Sequence, residues 1–205
     1  MGLSELVWDM DGTLLNTSTV VPDAFINATF ELSGRTVTRD VVIGLYPVGP
    51  PSVILERLID RSLESGEEEV YYQHLNHVQV EPFPGIIDTL RTIIYNNRYV
   101  AVVTGASHRA AQILLHNAGI ASDFIVGGDE LDNGKPAPDG LHYMATQLNV
   151  PVSKIAYIGD SHIDMKAARA AGCHAWSPSW GHMFNPTTPA DRVLTKPTDA
   201  LDFLN

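Results

Sequence analysis

The feature that most constrains this chain is an apolar run that ends in two carboxylates separated by a single residue. Leu6, Val7 and Trp8 lead directly into Asp9 and Asp11, and a Gly-Thr turn follows. A short apolar run that ends in Asp and Gly is typical of a buried strand. Ligands of open α/β sheets lie beyond the carboxyl ends of the strands, so we expect both aspartates to point into such a crevice. Because two carboxylates this close repel each other, the sequence predicts a compensating cation or a chemical task for them.

The segment that follows has the periodicity of helices. Between residues 16 and 81 apolar side chains recur at helical intervals, and no convincing strand pattern interrupts them. One of the predicted helices covers residues 52–63, and Gly66 is expected to stop it. This segment is therefore predicted to form a separate small all-helical unit.

From residue 85 onward, short apolar strands alternate with helices. This alternation predicts an α/β fold with a parallel sheet that helices cover on both faces. We expect residues 1–15 and 82–205 to form this core together, with residues 16–81 inserted into it as a helical cap.

Composition limits the kinds of protein that this chain can be. Its 205 residues suffice for one well-buried domain with a modest insertion. A formal net charge of -11 argues against a nucleic-acid-binding surface, which needs clustered Lys and Arg. An acidic chain can still accept an anionic small molecule, because a bound metal ion inverts the local field.

The sequence also carries a prediction about the compartment. The single cysteine, Cys173, cannot form an internal disulfide and suits a reducing environment. The first residues lack the basic and apolar regions of a signal peptide, and no stretch reaches the length of a membrane-spanning helix. We expect a cytoplasmic protein that binds neither nucleic acid nor a membrane, and the oligomeric state is left open.

Polar residues follow three of the predicted strands, and a lysine stands in a loop between them. Because the carboxyl ends of parallel strands lie at one edge of a sheet, we expect these residues to meet there. The candidate site residues are Asp9, Asp11, Thr104, Gly105, Ala106, Lys135, Asp160 and Asp164.

In their order and spacing these clusters resemble the four motifs of the haloacid dehalogenase superfamily. Residues 9–13 look like the first motif, Thr104 like the second, Lys135 like the third and residues 159–164 like the fourth. Within the superfamily the chain is most similar to phosphatases with a helical C1-type cap, such as phosphoglycolate phosphatase. The resemblance implies a Rossmann-like three-layer core and a Mg²⁺-dependent hydrolase that acts on small phosphate monoesters.

The chemistry expected of these residues is phosphoryl transfer in two halves. Asp9 attacks phosphorus and forms an aspartyl phosphate, while Asp11 gives a proton to the leaving alkoxide. Asp11 then acts as a base and activates the water that releases phosphate. Lys135 is expected to contact both the nucleophile and a phosphoryl oxygen. Thr104 and the main-chain amides of residues 105 and 106 are expected to bind the remaining oxygens near a helix N-terminus.

The expected metal ligands are oxygen atoms, as Mg²⁺ prefers. Three of these oxygens are expected to come from the side chain of Asp9, the side chain of Asp160 and the main-chain carbonyl of Asp11. Asp164 is expected to be a further ligand or to orient bound water. A structural alternative for Asp164 is a carboxylate that only stabilises the start of a helix.

The sequence leaves the substrate open, because a phosphoglycolate-type ester and a sugar phosphate fit equally well. The candidates for selecting between them lie in the cap and are Arg35, Arg39, Arg57, Tyr46 and the loop around residues 47–51. A phosphomutase of the beta-phosphoglucomutase type would use the same two aspartates, although Thr13 favours hydrolysis. A catalytically silent binding protein on the same scaffold is the other alternative, and it would be expected to lack a motif residue that this chain retains.

Overall fold

The computed structural model describes residues 2–204, and its strands form one sheet. The strands are β1 (Glu5–Trp8), β2 (Ala101–Val103), β3 (Phe124–Val126), β4 (Ile155–Ile158), β5 (His174–Pro178) and β6 (Arg192–Leu194). Their order is β3-β2-β1-β4-β5-β6, and every neighbouring pair is parallel.

The helices of the described residues fall into an N-terminal and a C-terminal group. The first group is α1 (Val20–Ser33), α2 (Arg39–Leu45), α3 (Pro51–Ile59) and α4 (Glu68–Asn76). The second group is α5 (Ile86–Tyr95), α6 (His108–Asn117), α7 (Asp139–Gln147) and α8 (His162–Ala171). A 3₁₀ helix over Pro197–Leu204 closes the fold beside α5. Within residues 2–204, no helix is both long and apolar enough to cross a membrane.

Strand β1 lies in the middle of the sheet and is buried on both faces. Leu6 and Trp8 pack into the apolar cluster on one face, and Val7 packs into the cluster on the other. Val7 also stands in register with Ala101 of β2 and Tyr157 of β4. Parallel strands covered on both faces are apolar throughout, which is why this run shows no alternation of polar and apolar residues. The predicted α/β fold with a parallel sheet is confirmed.

The two ends of the helical segment meet at the carboxyl side of β1. Leu15 and Pro82 form an isolated antiparallel bridge, and the amide of Asn16 donates to the carbonyl of Glu81 at 3.0 Å. Residues 16–81 contain helices α1 to α4 and, as far as the structure describes them, no strand. The assignment of this segment as a cap domain stays a prediction.

The predicted helix over residues 52–63 is too long at its C-terminal end. Helix α3 ends at Ile59, because Asp60 adopts a left-handed conformation with φ of 61°. Leu63 keeps the apolar spacing of the helix, but its amide donates to the side chain of Glu56 at 3.0 Å. The apolar periodicity therefore continues past the end of the helix. The residue that ends the helix, Asp60, is not a glycine.

Cys173 is buried, and its thiol is expected to react slowly in the folded protein. Burial raises the pKa of Cys173 to about 12, so the reactive thiolate is scarce near neutral pH. We expect Ellman's reagent at pH 8 to modify the native thiol at least about a hundredfold more slowly than the thiol of the guanidinium-unfolded chain. Equal rates in the two states would contradict this placement.

Candidate active site

The carboxyl edge of the sheet brings three buried carboxylates together. Asp9 follows β1 directly, Asp160 comes two residues after β4, and Asp164 lies in the first turn of α8. One carboxylate oxygen from each of the three lies within 4.8 Å of the others. The ends of β1 and β4 and the start of α8 thus bring these side chains together, as the sequence predicts.

Lys135 reaches this cluster from the loop between β3 and α7. Its Nζ donates to Asp9 Oδ1 at 2.7 Å and to Asp164 Oδ1 at 2.6 Å. A third contact joins Nζ to the hydroxyl of Tyr157 at 3.0 Å. The lysine side chain is largely buried, so its ammonium neutralises part of the negative charge of the cluster at short range.

Asp164 divides its two oxygens between the helix and the cluster. Oδ2 accepts hydrogen bonds from the amide and the hydroxyl of Ser161 at 3.0 and 2.6 Å, and this caps the start of α8. Oδ1 accepts from Lys135. The helix-stabilising contact and the contact with the cluster therefore coexist in one side chain.

Thr104 and Asp11 lie side by side at the end of β2. The Thr104 hydroxyl is 3.5 Å from Asp11 Oδ2, and it accepts a hydrogen bond from the amide of Ala106 at 3.1 Å. The Ala106 amide, which is expected to bind a phosphate oxygen, is therefore occupied by Thr104 in this structure. Gly105 lies between them in the loop that leads to Ser107, whose hydroxyl caps α6.

Burial and charge shift the acidities of the cluster in different directions. Burial raises the pKa of Asp9 well above its usual range; Lys135 opposes that shift, while Asp164 and Asp11 add to it. Burial likewise raises the pKa of Asp11 and of Asp160. Burial alone would also raise the pKa of Asp164, but Lys135 and Ser161 outweigh it and lower that pKa. One ammonium therefore does not compensate all of the carboxylates.

The donor set of this cluster fits a divalent cation. Asp9, Asp160 and Asp164 offer hard oxygen atoms, which Mg²⁺ prefers over nitrogen or sulfur. In their ionised forms these three buried carboxylates carry three negative charges, against one positive charge on Lys135. A bound dication would remove that imbalance.

Two glycines let other chain segments approach Asp160 closely. A Cβ at Gly12, where φ is 78°, would lie 2.8 Å from Asp160 Cγ and 2.9 Å from His182 Cε1. A Cβ at Gly181 would overlap Asp160 and lie 2.8 Å from the carbonyl oxygen of Gly12. The residue after His182, Met183, donates its amide to Asp160 Oδ2 at 2.8 Å, so the same loop also hydrogen-bonds that carboxylate.

We expect Gly181→Ala to displace Asp160 and to reduce both stability and activity. The added methyl group meets backbone and a buried carboxylate, so the variant should unfold at a free energy lower by about 2 kcal/mol. Gly134→Ala is the matched control, because a Cβ there meets no atom within 4 Å. Denaturant titration of both variants tests this, and equal stabilities would contradict it.

Two residues that sequence reasoning missed, Tyr157 and His182, also lie at the site. Tyr157 contacts Lys135 from inside a strand that shows only apolar character around it. His182 lies beside Gly12 in the loop after β5. The indole of Trp180 donates to the carbonyl of Thr13 at 3.0 Å, which ties this loop to the first motif. The Trp-Gly pair was the available signal for that loop, but nothing in the sequence pointed to Tyr157.

The segment α1 to α4 contacts the core next to the Thr104 loop. The hydroxyl of Tyr72 in α4 is 3.2 Å from that of Ser107, which caps α6. Arg109 of α6 lies over the ring of Tyr72 at 4.1 Å and forms a two-fold ion pair with Glu69 of α4. These contacts hold α4 against the helix that begins at the candidate phosphate loop.

The three arginines that are candidates for substrate selection all lie on the surface of the helical segment. Arg35 pairs with Asp60, and Arg39 pairs with Asp23, both on the exposed surface of the helical segment. Arg57 is exposed as well. The two paired arginines thus face carboxylates of their own segment.

Comparison with known proteins gives one family and several relatives. The model of the family described as haloacid dehalogenase-like hydrolase matches residues 6–176. A phosphoglycolate phosphatase of Photobacterium profundum is 26% identical, over 98% of this chain and 95% of its own length. The pyrophosphatase PpaX of Anoxybacillus flavithermus is 24% identical, over 100% of this chain and 98% of its own.

Solved structures share the fold along nearly the whole chain. A structure described as a predicted phosphoglycolate phosphatase from Haemophilus somnus superimposes with a TM-score of 0.78 at 21% identity, covering 99% of this chain and 98% of that one. CbbY from Rhodobacter sphaeroides, solved in complex with phosphate, also gives a TM-score of 0.78 at 21% identity, with 96% of each chain covered. At such identities the likeness concerns the fold.

Proposed function

This chain belongs to the haloacid dehalogenase-like hydrolase family, and from that premise we propose that it is a Mg²⁺-dependent phosphatase that forms an aspartyl phosphate on Asp9. The substrate is a small phosphate monoester. The observation that carries the proposal is the ammonium of Lys135 between Asp9 and Asp164, inside a buried cluster of three carboxylates. The phosphatase names of the relatives agree with it.

In the first half of the proposed reaction Asp9 is the nucleophile. One of its carboxylate oxygens forms a bond to phosphorus, and the bond from phosphorus to the leaving oxygen breaks. Lys135 stabilises the negative charge that the phosphoryl oxygens carry in the transition state. Asp11, beside Thr104, gives its proton to the leaving oxygen so that an alcohol departs.

In the second half Asp11 accepts a proton. It takes this proton from a water molecule, whose oxygen attacks phosphorus and releases inorganic phosphate from Asp9. Thr104 and the loop before α6 are proposed to bind phosphate oxygens, which requires the Ala106 amide to exchange its bond with Thr104 for one with the substrate. Asp9, the carbonyl of Asp11, Asp160 and Asp164 would hold Mg²⁺, which supplies charge neutralisation that lets a carboxylate approach an anionic phosphoryl group.

The test of the proposal is release of inorganic phosphate from a panel of phosphate esters and pyrophosphate, with and without Mg²⁺. Steady release from at least one ester, without isomerised sugar phosphate, supports a phosphatase. Isomerisation without net release would favour the phosphomutase. A chain that binds these esters and turns over none of them would be the silent binding protein.

Two phenols of the helical segment pack near Phe25. The ring centroids of Tyr46 and Tyr71 lie 6.3 and 4.2 Å from that of Phe25. Tyr46 is 40% exposed, whereas Tyr71 is buried. Partial burial raises the pKa of Tyr46 and full burial that of Tyr71, and the carboxylate of Asp11 adds to the shift of each. We infer that the exposed part of the Tyr46 ring contacts the leaving group, where an aromatic surface packs better against an uncharged ring than against a second carboxylate.

We therefore expect a ring sugar phosphate to be hydrolysed with a kcat/KM at least about tenfold above that of 2-phosphoglycolate. Tyr46→Leu should narrow this ratio, whereas Phe30→Leu, at an exposed position of α1, should leave it unchanged. Steady-state phosphate release with both esters measures the ratio. A preference for 2-phosphoglycolate would contradict the assignment of the phenols while leaving the phosphatase proposal standing.

A further inference from the structure

Tyr157 stands in the middle of the sheet, yet its hydroxyl reaches the catalytic edge. The residue is completely buried in β4, on the face of the sheet that α7 and α8 cover. Its hydroxyl lies 2.8 Å from the carbonyl oxygen of Val103, the last residue of β2. The pairing of β1 with β2 ends at Trp8 and Val102, one residue before Val103.

The Tyr157 hydroxyl has several possible hydrogen-bond partners, and its single hydrogen atom limits it to one acceptor. A phenol has one hydrogen to donate, and the Val103 carbonyl at 2.8 Å is a closer acceptor than Asp164 Oδ1 at 3.2 Å. The oxygen lone pairs then face the Nζ of Lys135 at 3.0 Å.

The ammonium group of Lys135 has three hydrogens, and three acceptors surround it. Two are the carboxylates of Asp9 and Asp164, and the third is the Tyr157 hydroxyl. A lysine side chain is a flexible stem that ends in a point charge. Two acceptors leave Nζ free to move around the axis that joins them, whereas a third acceptor fixes its position.

We propose that Tyr157 is a positioning residue that fixes the Lys135 ammonium against the nucleophile Asp9. The inference rests on the phosphatase function proposed above. Tyr157 does not contact the reacting atoms in this arrangement, and it acts through Lys135. Its bond to Val103 also ties the position of Lys135 to the end of β2, where the phosphate-binding loop at Thr104 begins. The Tyr157 hydroxyl thus contacts both Lys135 and the residue that precedes the loop.

A double-mutant cycle tests whether Tyr157 acts through Lys135. We expect Tyr157→Phe to lower kcat about tenfold with KM changed less than twofold, because positioning affects the transition state more than substrate binding. Lys135→Met should lower kcat by about a thousandfold. In the Lys135→Met background, Tyr157→Phe should have no further effect on kcat. Independent, multiplicative losses would overturn the proposal, and so would an unchanged kcat in Tyr157→Phe.

Tyr143→Phe is the matched control for the loss of a tyrosine hydroxyl. Tyr143 lies on α7 and is exposed, so its substitution should leave kcat and the unfolding midpoint unchanged. Tyr157→Gln provides a second variant, since it retains a polar group in the strand. Failure of both Tyr157→Phe and Tyr157→Gln to fold would assign Tyr157 a purely structural role and overturn the proposal.

The ¹⁵N NMR signals of the lysine ammonium groups give a readout that does not depend on activity. The chain has four lysines, and the signal of Lys135 is the one that Lys135→Met removes. We expect Tyr157→Phe to shift and broaden this signal while those of Lys154, Lys166 and Lys196 stay in place. An unchanged Lys135 signal would overturn the positioning role. If the wild type hydrolyses no phosphate ester, the proposed function fails, whereas the NMR result still decides the positioning of Lys135.

Discussion

Replacing Asp9 by asparagine is expected to lower phosphate release by at least about 10⁴-fold, because the substitution removes the atom that forms the bond to phosphorus. Asparagine has nearly the size of aspartate, and its carbonyl oxygen can still accept the hydrogen bond that Lys135 donates at 2.7 Å. The variant should therefore fold, and the loss should appear in kcat. Steady-state phosphate release measures the loss in kcat. Acid quenching of reactions with a labelled phosphate ester shows whether phosphate becomes attached to the protein.

The control for this experiment is Asp60→Asn, which changes an exposed carboxylate of the helical segment. It should retain full activity and an unchanged unfolding midpoint. Acid quenching of the wild type during turnover should trap phosphate on the protein, and Asp9→Asn should trap none. Turnover by Asp9→Asn within tenfold of the wild type would refute the proposed nucleophile.

Withdrawal of divalent cations is expected to have an effect of similar size. The three carboxylates near Lys135 repel an incoming phosphoryl group unless a further cation neutralises them. A chelator should therefore lower phosphate release by at least about 10³-fold, and excess Mg²⁺ should restore it. The measurement is phosphate release against the free Mg²⁺ concentration.

Asp160→Asn links this requirement to one of the carboxylates. The variant should need at least about tenfold more Mg²⁺ for half-maximal activity, since it removes a charged oxygen ligand. Mg²⁺ should raise the unfolding midpoint of the wild type more than that of Asp160→Asn. Asp88→Asn, at an exposed position of α5, should behave as the wild type in both assays. Full activity of the wild type in the chelator would contradict the proposed metal dependence.

The meeting of the strand-end residues was predictable because it follows from the topology of a parallel sheet. Once β1 and β4 are recognised as buried strands, their carboxyl ends must deliver Asp9 and Asp160 to the same edge. The contact of Lys135 with Asp9 depends on a long loop, whose path hydrophobic periodicity does not predict. The position of Lys135 between the second and fourth motifs predicted this contact instead. These predictions rest on local sequence features, namely the apolar runs of the strands and the motifs that follow them.

The features that escaped prediction depend on distant parts of the chain. Tyr157 has apolar neighbours in its strand, and a strand buried on both faces has no periodicity that shows where each side chain points. The end of α3 at Asp60 depends on a left-handed residue that is not a glycine. The bond between the Ala106 amide and Thr104 is a detail of loop geometry. Hydrophobic pattern does not encode any of these three features.

The pairing of Leu15 with Pro82 has a consequence for how this chain can diverge. The helical segment leaves and re-enters the sheet domain at adjacent points, since Asn16 and Glu81 share a backbone hydrogen bond. The sequence between these two points can therefore gain, lose or exchange residues without a change in the register of the strands in the sheet. Evolution can thus exchange the helical segment as one unit, while the carboxylates that follow the strands keep their places.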